Sequence, residues 1–318
     1  DLAWQRLQQA PGASAVAEGV YLGSIGYAHY LNARNDEADR YYARALKKFA
    51  QAGRARGPEA IAVRNNWAIV SDGAGNPKRA LELYDEILQI VEQNGSGVSP
   101  PPYLVANRAR ALENIGRYTE SLAVYARCVE ISEQVGNSTV TAYCLVGQSS
   151  ALRELGDIKA AKGYCDRASA LIGTQVPAGS PAGVAVQITR GKIALSEGRL
   201  DDARGILNEV IEHHPAVNAT ALTIRAELNL DAGRLSEAAA DARAALARAQ
   251  SLQAGLPYSY KSGLAWLVLA RVLAANGEGD PSRAALENSI KNLSNTVAAD
   301  HPGLLRARQL LDVDGTAT

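Results

Sequence analysis

Residues 198–203 read GRLDDA and residues 233–238 read GRLSEA. A near-identical hexapeptide 35 residues on prompts a search of the whole chain for a repeat. Five more segments share the pattern: ARNDEA at 33–38, GNPKRA at 75–80, GRYTES at 116–121, GDIKAA at 156–161 and GEGDPS at 277–282. Six of the seven open on glycine, at Gly75, Gly116, Gly156, Gly198, Gly233 and Gly277; Ala33 is the exception. A glycine just past a helix takes φ > 0 and ends it. Five positions on, every segment has Ala or Ser, so a second helix can lie close on the first.

The pattern extends both ways from each turn. Seven positions before it stand Gly26, Ala68, Ala109, Ser149, Gly191, Ala226 and Ala270, all small. Nine after it stand Tyr42, Tyr84, Tyr125, Cys165, Leu207, Ala242 and Leu286, the start of a stripe with helical period. The last repeat reads Trp266-x-x-Leu269-Ala270-x-x-Leu273-x-x-x-Gly277.

This resembles the tetratricopeptide repeat, a family of antiparallel helix pairs, over almost the whole chain. Successive turns are 42, 41, 40, 42, 35 and 44 residues apart, longer than the usual unit of about 34. The long units and the run Asn65-Asn66-Trp67-Ala68 resemble the kinesin-light-chain, bacterial style of this repeat. The resemblance implies an all-α fold, a right-handed superhelical α-solenoid of about seven units with terminal capping helices. The expected organisation is a cap or half unit over 1–15, the array over 16–298, and a capping helix and tail over 299–318. The segments at 95–102, 174–183 and 255–263 carry Pro and Gly and read as loops between repeats, not domain linkers.

In such an array the first helix of each pair lines the concave side. The inward stripe falls roughly 13, 10, 9, 6 and 3 positions before each turn residue. In the first four repeats it holds Tyr27, Tyr30, Asn65, Asn66, Tyr103, Asn107, Arg110, Tyr143 and Arg153, the candidate partner-binding residues. Asn offers a donor and an acceptor to an extended backbone, Arg binds carboxylate bidentately, and Tyr adds area with a polar tip. Asn66 and Asn107 share one slot, and peptide-holding relatives often have Asn there. The lysines that hold a C-terminal carboxylate in chaperone-binding relatives are replaced by Gly23, Tyr27 and Ala62. In repeats 5–7 the stripe is apolar (Ile188, Leu195, Ile224, Leu230, Leu264, Leu267, Val268). It is expected to be buried by tighter coiling or by the 303–311 helix, with a homodimer interface or an apolar ligand site as the alternative.

The composition agrees with a repeat array. There are 58 Ala, one Phe and no Met, and 47% of residues are hydrophobic. Alanine is the best helix former and lets helices approach closely. Lys and Arg number 33, as do Asp and Glu, which excludes a polyanion binder driven by bulk charge. No membrane insertion is expected. No P-loop, HExxH or GxSxG appears, so no enzyme, metal or cofactor is predicted. His29 reads as a partnered packing residue, His213 as a helix-end group and His301 as a loop residue. Cys128, Cys144 and Cys165 read as small buried hydrophobes in a reducing, cytoplasmic setting, with the periplasm as the alternative. Opening on Asp1, the chain reads as a processed or truncated piece. The expected function is a non-enzymatic scaffold for a protein or peptide partner, with no nucleic acid. The alternative is the ligand- or signal-peptide-sensing part of a larger transcription factor or kinase.

Overall fold

The computed structural model describes residues 15–95, 99–214 and 218–315. Of the cap or half unit expected over 1–15, residues 1–14 lie outside them. Every regular element described is a helix, apart from a single bridge between Ile172 and Val176. The helices are α1 Ala15–Leu31, α2 Asn35–Gln51, α3 Pro58–Gly73, α4 Pro77–Asn94, α5 Pro102–Ile115, α6 Tyr118–Gln134, α7 Ser138–Glu154 and α8 Ile158–Leu171. They continue as α9 Pro181–Ser196, α10 Leu200–His213, α11 Asn218–Asp231, α12 Leu235–Gln253, α13 Tyr260–Ala275, α14 Gly279–Thr296 and α15 Pro302–Gly315.

Each of the seven turn residues read from the sequence has positive φ, Ala33 at 53° included. At two of the glycine turns the next residue caps the second helix. Asn76 accepts from the Arg79 N–H at 3.2 Å, and Asp157 accepts from Ala160 at 2.9 Å. A Gly-Asn or Gly-Asp pair thus ends one helix and caps the next. Pro58, Pro77, Pro102 and Pro181 start their helices, where the missing N–H costs nothing. Ala33 has no such freedom, since an L side chain in the left-handed region costs about 1–2 kcal/mol. Ala33→Gly is therefore expected to raise stability by roughly 1 kcal/mol, read from chemical denaturation; an unchanged midpoint would refute the strain.

The small slots meet as the spacing requires. Ser121 Oγ donates to the Ala109 carbonyl at 2.8 Å, Ser149 to Ala161 at 2.7 Å and Ser282 to Ala270 at 3.0 Å. In each pair one partner stands seven before the turn and the other five after. The rings nine after the turn, Tyr42, Tyr84 and Tyr125, are fully buried.

The chain divides into two compact bodies, and the division at Pro100 and Pro101 falls where the sequence predicts only an inter-repeat loop. The first body runs to Pro100 and also includes Ser251–Pro257. In it Trp67 Nε1 donates to Asp39 at 2.5 Å while the Arg79 guanidinium lies 4.3 Å over the indole ring. The 251–257 segment is fastened to the start of α2: Asn35 Nδ2 donates to the Leu252 carbonyl at 2.7 Å and Asn35 N–H to Ala254 at 3.1 Å.

The second body comprises Pro101–Gln250 and the residues from Tyr258 on. Here the connection before α15 returns to the body's first turn. Ala298 N–H donates to the Ile115 carbonyl at 2.9 Å, and the His301 ring packs on Gly116. His301 stands in the loop before α15, as the sequence suggested, and is buried there; its Nδ1 accepts from the Gly303 N–H at 3.0 Å. The array of this body closes on itself at that junction.

One expectation fails outright. Cys128 and Cys144 are not separate thiols but a disulfide, Cα–Cα 6.2 Å. Both stand eight residues from Gly136, the turn between α6 and α7, so the helix hairpin sets them opposite each other. Such bonds persist in oxidising rather than reducing compartments. Cys165 remains a buried thiol, which burial pushes up to about 11.

Candidate functional site

The inward stripe forms a concavity in each body. In the first, Val20, Gly23, Ser24 and Tyr27 of α1 face Ala62 and Asn66 of α3 across a groove of about 360 Å³. The four α1 residues occupy slots 13, 10, 9 and 6 before the turn. Of the candidate residues in this body, Tyr27 and Asn66 line the groove. Tyr30 turns its ring toward Gly73, and Asn65 is half-buried.

The second body encloses a larger cavity of about 430 Å³. The same slots supply its walls: Thr220, Thr223, Ile224 and Glu227 from α11, and Leu264, Leu267, Val268 and Arg271 from α13. Glu113 of α5, Arg153 and Glu154 of α7, Lys192 of α9, Lys261, His301 and Arg306 also line it. Among the five candidate residues here only Arg153 lines the cavity. Arg110 donates to the Tyr143 hydroxyl at 3.2 Å, so these two serve each other. Tyr103 is exposed and Asn107 half-buried, both away from the lining. On α7 the stripe has become core, because α7 packs against α5 and α9 as well as its hairpin partners. Gly147 lies under the Tyr125 ring and Ser150 is buried.

The apolar stripe of repeats 5–7 is partly covered, with Ile188, Leu195, Leu230 and Leu264 half-buried. Ile224, Leu267 and Val268 are buried within the chain, and α15 begins against Leu264 through Gly303.

The cavity's charges are arranged unequally. Glu113 accepts from Ser150 Oγ at 2.5 Å and from the Tyr125 hydroxyl at 3.0 Å. Burial raises its pKa above the ordinary carboxylate range despite these bonds. Burial likewise raises Glu227, although Arg271 stands 3.5 Å away. Lys192 is lowered, first by burial and then by Arg153. His301 is lowered by burial too. Since native Glu113 keeps its proton above the unfolded value of about 4.3, its contribution to stability is full below that pH. The contribution is lost as pH rises through the folded-state pKa. The melting temperature of Glu113→Gln relative to wild type should therefore climb between about pH 4 and 7. A constant difference over that range would show that Glu113 does not hold its proton.

Two family profiles, each described as tetratricopeptide repeat, match residues 104–135 and 188–253. Over those two segments the chain carries tetratricopeptide repeats. A tetratricopeptide repeat protein from Parabacteroides merdae aligns with it at TM-score 0.54 and 15% identity, over 92% of this chain and 99% of that one. The Rap protein complexed with Competence and Sporulation Factor aligns at TM-score 0.54 and 13% identity, over 96% of this chain and 76% of its own. Yeast Tom70 aligns at TM-score 0.51 and 15% identity, over 97% and 66%. At these identities the likeness shows the fold. No curated protein matches the sequence. Among the described residues no cluster of His, Cys, Asp and Glu is placed to hold a metal, and no helix is long and apolar enough to cross a membrane.

Proposed function

We propose that this repeat protein is a non-enzymatic interaction module that holds an extended partner segment on its inward stripe. One observation carries the reading. Slots 13, 10, 9 and 6 before the turn, on different repeats, line the groove of the first body and the cavity of the second. The groove is the site for an extended segment. Asn66 meets the segment's backbone and Tyr27, nearly half exposed, offers an apolar face with a polar tip. Arg153 serves the second body in the same way.

Peptides selected from a random display library on the immobilised protein test this. Ala62→Trp fills the groove from an exposed position. Selected peptides should bind that variant at least tenfold more weakly while its melting temperature is unchanged. Equal affinity for wild type and variant would remove the groove assignment.

The sensing alternative is favoured by a separate feature, the half-enclosed cavity of the second body. Its volume and closed array suit a compact guest better than a long segment. Thr223→Trp, which fills the cavity, should abolish binding of any such guest.

A further inference from the structure

The cavity of the second body has two unlike walls. On one side Ile224, Leu264, Leu267 and Val268 present an apolar surface. On the other stand the charged groups. Five Lys and Arg side chains line the space against three Glu.

The carboxylates are already satisfied. Glu113 has its two hydroxyl donors, Glu227 is held by Arg271, and Glu154 pairs with Arg153. Lys192 differs. Its ammonium has no hydrogen-bond or ion-pair partner among the described residues, though it sits in the same wall. The Nε of Arg153 is a second buried donor without an acceptor. Lys192 is half-buried, and a cation drawn out of water persists at a cost unless something neutralises it. Three carboxylates are close enough to act on Lys192 through space, but none reaches it.

We infer that Lys192 anchors a site for a compact amphipathic acid, its carboxylate on the Lys192 ammonium and its apolar body against Ile224, Leu267 and Val268. The inference rests on the reading of this cavity as a binding site, and adds the chemistry of the guest. The lowered pKa of Lys192 agrees with it, since an anion alongside would restore what burial takes away. A cationic guest finds no free carboxylate, and a neutral apolar guest leaves the ammonium unpaired. An acid at the end of a peptide offers the same head group as a free acid, so the test includes both.

Calorimetric titration of the intact protein would use octanoate, octanamide, and the peptide Ala-Leu-Leu with a free or an amidated C-terminus. Octanoate should bind at least tenfold more tightly than octanamide. Lys192→Met keeps the length of the side chain and removes the charge, and should erase that preference. Thr223→Trp should remove binding altogether. If the free peptide binds and octanoate does not, the guest is a chain terminus and the free-acid assignment is overturned. If acid and amide bind alike in wild type and in Lys192→Met, yet Thr223→Trp blocks both, the cavity stands and the anion site falls. If neither acid binds wild type at millimolar concentration, the site falls together with the cavity reading.

Discussion

Gly147→Ala destabilises the second body by about 3 kcal/mol, the upper end of what overpacking costs. A methyl group on Gly147 would lie 2.2–2.4 Å from three ring atoms of Tyr125. That ring is fully buried and cannot swing aside, because its hydroxyl is bonded to Glu113 and its edges touch the core around Val105 and Val129. Rotating it breaks the bond to Glu113 and leaves that carboxyl group with one donor fewer. The measurement is urea denaturation of the single variant beside Gly147→Ala/Tyr125→Leu. Removing the ring should return a large part of the loss, since the two sites are in contact and their effects do not add. If the double variant is less stable than either single one, the clash is not the cause.

Reduction of Cys128–Cys144 should cost a similar amount, about 3 kcal/mol for a closed loop of this length. The two residues are 16 apart in sequence and both are fully buried. For a body of this size such a loss lowers the melting temperature by roughly 6–12 °C. The bond is verified first by chemistry. Alkylation of the denatured, unreduced protein should label one thiol, Cys165, and reduction beforehand should expose all three. Three labelled thiols without reductant would dismiss the pairing. The comparison of melting curves with and without dithiothreitol then reads the stability term, with Cys165→Ala as the background that excludes exchange.

The fold was legible because its rule is local and repeated. Six glycines end helices for a reason that holds at every site, and the small slots are small because backbones cross there. The serine bonds at Ser121, Ser149 and Ser282 are what that register predicts in three dimensions. The site was legible only in part. The stripe rule names Lys192, Glu227 and Arg271, each six before its turn, in the same slot as Tyr27 and Arg110. Reading repeats 5–7 for their apolar members passed over these charges, although the cavity is made of both. Tyr143 misled for a different reason: the stripe faces inward only where no neighbouring helix fills the space, and packing between α5, α7 and α9 cannot be derived from spacing. The disulfide was hidden by the choice of origin. Measured from the turns within pairs, Cys128 and Cys144 belong to two different turns, twelve after Gly116 and twelve before Gly156. Measured from Gly136 they are equidistant.

The junction between Ala298 and Ile115 bears on how the second body comes apart. An open stack of repeats frays from its ends, because each repeat leans only on its neighbours. Here the connection before the last helix is bonded to the opening helix pair, so the two ends of the array hold each other. Loss of any one helix pair breaks the circuit and deprives both flanks of support. Slow amide exchange should therefore be nearly uniform from α5 to α14, with no gradient toward the C-terminus. Such a body exchanges the tolerance of open arrays to gaining or losing a repeat for all-or-none cooperativity.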